Sequence, residues 1–135
     1  MKSKDEYVRD RLRKAQSDMN AASWCMNAES VSTDVVCFHC QQAAEKALKG
    51  GLVWDTGELD PIHDLKSLPM KCLRRDPSFG RLRGIETLTP YAVDIRYPDD
   101  LYFPTLEETK RAVELASDAM AFVKDKLKAT GLEIA

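Results

Sequence analysis

No stretch of the chain is apolar for the length of a membrane span, aromatic residues make up only 7% of it, and histidine occurs just twice. The first absence excludes an integral membrane protein built of helices. There is no glycine-rich phosphate loop, no G-x-S-x-G, no H-E-x-x-H and no carboxylate set at metal spacing, so nothing marks an independent enzyme. A formal net charge of -2 and a pI near 5.7 argue against a generally cationic nucleic-acid coat or a membrane-surface binder, while leaving room for a local basic patch. The amino terminus opens on Met1-Lys2-Ser3-Lys4 with no apolar segment behind it, so a cytoplasmic location is expected. Cysteine is present but not arranged for zinc. Cys37 and Cys40 form a C-x-x-C inside a helical pattern rather than a turn, and Cys25 and Cys72 have no neighbouring second ligand, so small buried hydrophobes are expected, with no metal and no other cofactor.

Period-two alternation is also missing, and periodicity of another kind fills the chain. Val8, Leu12, Ala15, Met19, Ala22 and Met26 recur at steps of three and four, which predicts a helix over about 5–28. A break at Glu29 to Thr33 precedes a second helix, whose last turn Gly50-Gly51 should weaken before a loop over 54–61. A short helix over 63–68 is expected to be ended or kinked by Pro69, and another to resume near Phe79, with Pro90 as an interior irregularity and Pro98 as its stop. Thr105-Leu106-Glu107-Glu108 matches a capping box, and Val113, Ala116, Met120, Val123 and Leu127 give the stripe behind it. With 135 residues the expectation is one all-α domain over 1–130, an antiparallel bundle of four to five helices, with residues 131–135 as a frayed tail.

The second helix carries polar residues where a plain core helix would not. Cys37, Cys40, Ala44, Ala47, Leu48 and Gly51 form its apolar face, Gln41 lies inside that face, and Glu45 stands at its border. Such groups need partners, whether in a polar pocket between helices, on backbone groups or across a dimer interface. Gln42, Lys46 and Lys49 fall toward the other side, with solvent as their expected surroundings, although Lys49 borders Glu45 and is within reach of a phosphate there. Further on, Lys71, Arg74, Arg75, Arg81 and Arg83 face only Asp76 as an acid, which makes this stretch the candidate surface for an anionic partner or simply a solvated face.

The string F-x-x-Q-Q-A-x-E-K-A-L-K from Phe38 to Lys49 resembles the signature helix of HEPN domains. His63-Asp64-Leu65 is similar to the H-D-L that follows this helix in the family, and Tyr91 to Pro98 to its Y-x-x-x-R-Y-P. The resemblance implies a helical domain associated with nucleotide binding and toxin–antitoxin pairs. Nucleolytic members carry an arginine followed after four to six residues by histidine; behind Arg96 that window holds Leu101, Tyr102 and Phe103, and no arginine stands at that distance before His39 or His63. The resemblance therefore implies the non-nucleolytic branch, often encoded beside a minimal nucleotidyltransferase, with no catalytic residue of its own. Arg96 and Tyr97 become the candidate nucleotide contacts, because a planar guanidinium can fork a phosphate and a ring can stack a base; the plain alternative is a cation at a helix carboxyl end. Gln41, Glu45 and Lys49 complete the candidate site. A homodimer is expected, because Trp24, Trp54, Phe79, Tyr102 and Phe103 lie near element ends where a second chain would cover them. The rival functions are an RNA-cleaving toxin with an atypical residue set and a structural dimerisation adaptor.

Overall fold

Each long apolar stripe becomes a helix. The computed structural model describes residues 3–58, 67–92 and 103–134, and all structural statements refer to these. Helix α1 (Lys4–Met26) is started by Ser3, whose side chain accepts from the Glu6 N–H, and it buries Val8, Leu12, Ala15 and Ala22. Helix α2 (Thr33–Thr56) follows, then α3 (Leu68–Arg75), two 3-10 helices η1 (Pro77–Leu82) and η2 (Ile85–Tyr91), and α4 (Leu106–Ala129). Among the described residues there is no strand, and the class is all-α. The capping box at Thr105 and Glu108 is present in both directions.

Side-chain pairs set the helix directions. Gly50 approaches Val8 and Arg11, and Lys4 reaches the Trp54 carbonyl, so α1 runs antiparallel to α2. Cys37 Sγ lies 3.6 Å from Thr109 Oγ1 and Trp54 Nε1 donates to Thr130 Oγ1 at 2.7 Å, so α2 and α4 run the same way. The intervening segment with α3, η1 and η2 carries the chain back between them. Helix α2 is thus central, contacted by α1, α4, α3 and η2, and buried almost continuously from Ala43 to Val53.

Several local expectations are corrected by this packing. Gly50 and Gly51 do not loosen the end of α2, which continues to Thr56 and stops at Gly57 in the left-handed region (φ 72°). They are where other elements come closest: a β-carbon on Gly51 would stand 3.3 Å from the Phe79 ring and 3.7 Å from Val123. Pro69 stands in the first turn of α3, where its missing N–H costs nothing; of the short helix expected over 63–68, residues 63–66 lie outside the described set. The helix expected near Phe79 is two 3-10 segments separated by Gly84 (φ 90°), with Pro90 inside the second. Nor does the tail fray through residue 134: Leu132 is buried, its N–H donates to the Leu127 carbonyl, and Arg9 Nε donates to the Glu133 carbonyl at 2.9 Å. Trp54 and Phe79 are not spare apolar surface either. Trp54 is half-buried beneath Lys4, 4.3 Å from its ring, and Phe79 packs edge-on against Phe122 at 4.8 Å. Trp24 and Phe103 remain 85% and 62% exposed, and Tyr102 lies outside the described residues.

Candidate functional site

Gln41, Glu45 and Lys49 stand one turn apart along α2, and all are buried, at 2%, 8% and 4% exposure. A chain of amides links the first of them to its neighbours. Gln42 Nε2 donates to Gln41 Oε1 at 2.7 Å, and Gln41 Nε2 donates to Glu45 Oε2 at 3.3 Å. Glu45 and Lys49 are engaged in further polar interactions. The solvated surroundings expected for Lys49 are therefore corrected: enclosure of α2 by four elements leaves no wet face at that position, so its long stem is taken into the protein. Arg96 and Tyr97 lie outside the described residues.

A second polar group, absent from the sequence reading, locks α1 to α2. Asp18, 9% exposed, accepts from His39 Nδ1 at 2.9 Å and from Lys46 Nζ at 2.6 Å, one through each carboxylate oxygen. Because an ionised carboxylate can only accept, the proton of this contact sits on Nδ1. His39 and Lys46, seven residues apart on α2, so converge on one carboxylate of α1. The signal was available: Asp18 stands three residues after Ala15 and four before Ala22, on the buried arc of α1, where an acid has to find a partner.

The expected anionic-partner surface is divided by the fold. Arg74, Arg75, Arg81 and Arg83 are exposed and Lys71 is half-buried. Asp76 is not their lone acid in space. Arg81 lines a cleft with Asp76, Asp118, Asp125 and Lys126, so its surroundings are mixed in charge. Arg75 Nη2 donates to the Asp55 carbonyl at 3.1 Å. Lys126 joins Asp55 Oδ1 at 3.1 Å and Asp76 Oδ2, binding the ends of α2, α3 and α4 together. Hydrogen bonds from Lys126 and Ser78 hold the Asp76 carboxyl down to about 2. Burial alone would lower Lys126, but the hydrogen bonds to Asp76 and Asp55 outweigh it and hold the amine above its ordinary value. This knot ties elements together rather than offering a site.

The cysteines are core residues. Cys37, Cys40 and Cys72 are buried, and burial pushes the Cys40 and Cys72 thiols up to about 12, where the reactive thiolate is negligible. Among the described residues no helix is long and apolar enough to cross a membrane.

A long first helix clasped to a central helix that carries a buried Gln–Glu–Lys row defines a small all-α domain with polar chemistry inside its core. The HEPN domain family model matches residues 8–126, most of the chain, and the protein belongs to the HEPN domain family. That membership makes it a module of the nucleotide- and RNA-related class. No match was found among curated proteins or among solved structures.

Proposed function

We propose that this chain is a non-nucleolytic HEPN module that binds a nucleotide or a partner protein, works as a homodimer, and is paired with a minimal nucleotidyltransferase in a toxin–antitoxin-like system. The observation that carries the reading is the buried row Gln41, Glu45 and Lys49. A helix that only had to pack would not take an amide, a carboxylate and an ammonium below 9% exposure, since each must recover its lost hydration. Their bonds within the protein are already made, and what supports the reading is the kind of group assembled: an amide matches the donor–acceptor edge of a base, a carboxylate accepts from ribose hydroxyls, and an ammonium supports a phosphate. The missing arginine–histidine spacing favours binding over cleavage. The half-buried His39 beside Asp18 gives RNA cleavage as a second reading, because an imidazole paired with a carboxylate can carry a proton, but its cationic neighbour Lys46 is committed to Asp18 and not to a phosphate.

The test is a thermal-shift titration with nucleotides, in which a ligand that prefers the folded state raises the melting temperature. Arg96→Ala is expected to weaken the responding nucleotide about tenfold or more while leaving the unliganded melting point nearly unchanged, as loss of a charge-assisted contact requires. Arg96→Lys should rescue poorly, because it lacks the planar fork. A drop in melting temperature with unaltered affinity would reduce Arg96 to a helix cap. Sequencing of the neighbouring reading frame and co-purification with its product test the partner half of the proposal.

For the homodimer, support comes from one end of the bundle. The α2–α4 alignment brings the starts of both helices together with the end of α1, and Trp24, Val35, Phe103 and Leu106 are exposed there. Sedimentation at micromolar concentration is expected to show a dimer that Trp24→Ser shifts toward monomer. A wild-type protein that sediments only as monomer would remove the dimer from the proposal.

A further inference from the structure

Helix α3 is turned the wrong way for a helix that merely closes a bundle. Leu68 and Cys72 are buried, and the opposite face carries Leu73 at 37% exposure, Met70 at 52% and, beyond Met70 on the wheel, the exposed Arg74. Leu73 Cδ1 lies 3.7 Å from where a β-carbon on Gly80 would stand, so the apolar strip continues onto η1. Among the described residues Arg74 forms no ion pair, and Arg75 donates to the neutral carbonyl of Asp55 rather than to a carboxylate. The segment 67–84 holds five basic residues and one acid in a chain whose formal net charge is -2.

We infer that the outer face of α3, built from Met70, Leu73 and Arg74 with Arg75 on its flank, is a docking surface for an acidic amphipathic segment of a partner protein. The inference rests on the partner-binding half of the proposed function and names its surface and chemistry. Charge complementarity asks for carboxylates on the partner. Exposed methionine and leucine ask for aliphatic side chains beside those carboxylates, methionine being the side chain that adapts best to an apolar partner. Single-stranded nucleic acid is the poorer occupant. It stacks on exposed rings, and the aromatic residue of this region, Phe79, is 5% exposed and turned inward onto Phe122.

The full-length protein is titrated against three fluorescent probes: a synthetic helical peptide with leucine along one face and glutamate on the other, the same peptide with serine for leucine, and a single-stranded RNA. The leucine–glutamate peptide is expected to bind about tenfold or more tightly than the serine peptide, a difference of roughly 1.4 kcal/mol or greater. Met70→Ser with Leu73→Ser should abolish that difference. Arg74→Glu with Arg75→Glu should weaken the peptide and remove its salt dependence. All four side chains are outside the core, and circular dichroism on the same variants checks that the fold persists. Equal binding of the two peptides, peptide binding indifferent to both double variants, or RNA bound more tightly than either peptide and lost in Arg74→Glu, overturns the assignment. If no peptide binds but the neighbouring gene product co-purifies with the wild type and with both double variants, the surface is wrong and the module reading stands. If that product fails to co-purify at all, it is the partner reading that falls.

Discussion

Replacing Asp18 with alanine is expected to cost about 2–4 kcal/mol of folding stability, read as a lower denaturation midpoint in urea at unchanged slope. The magnitude follows from what is left behind. Lys46 and His39, with side chains only 23% and 27% exposed, both lose the carboxylate on which they converge. A surface ion pair would lose no more than about 1 kcal/mol, so the size of the effect distinguishes a clasp from decoration. Asp18→Asn should fall between, keeping an acceptor for His39 while giving up the charge opposite Lys46. In a double-mutant cycle with Lys46→Ala the two losses should be strongly non-additive, because the second substitution removes the charge that the first stranded. Additive losses would show that Asp18 and Lys46 act independently. The consequence reaches the buried polar row, since the Asp18 clasp fixes α2 against α1 just where Gln42 donates to Gln41 and Gln41 to Glu45.

The adjacent glycines of α2 should respond in opposite directions. Gly50→Ala is expected to stabilise by about 0.8–1 kcal/mol, the ordinary difference in helix propensity, since its β-carbon would meet Arg11 and Val8 at 3.7 to 3.9 Å. Gly51 starts 3.3 Å from Phe79, so alanine there gains the same propensity but asks the ring to give way, and the two effects nearly cancel. Gly51→Leu has no such balance. It is expected to lose about 3 kcal/mol or more, by driving Phe79 off Phe122 and Val123 away from α2. Melting temperatures of the three variants are the measurement, and a Gly51→Leu protein as stable as wild type would mean that α2 and η1 are not in close contact.

The helices were legible because their causes are local. The stripe of α1, the stripe of α4 and the capping box at Thr105 involve residues within a turn or two of one another, and periodicity reports them directly. The burial of Gln41 was legible for the same reason, since it stands among Cys37, Cys40, Ala44 and Leu48 on one face. Lys49 was not, because a wheel drawn for one helix assumes a solvent side, and α2 has almost none. The glycines were misjudged by the same assumption: propensity counts what a residue costs its own helix and cannot see a phenylalanine arriving from η1. Trp54 and Phe79, read as surface awaiting a second chain, find their partners in Thr130 and Phe122 of the same chain.

By itself the sequence determined that the chain is all-α, where its long helices lie, that the HEPN signature occupies the second of them, and that the arginine–histidine spacing of the nucleolytic members is missing. These are properties of spacing along the chain. Only the tertiary structure decided that α2 is enclosed, that Lys49 is buried, that Asp18 gathers His39 and Lys46, and that α3 turns methionine, leucine and arginine outward. Those outcomes depend on residues tens of positions apart meeting when helices cross, and the cost of burying a charge or leaving a methionine in water is set by that meeting rather than by the neighbours in sequence.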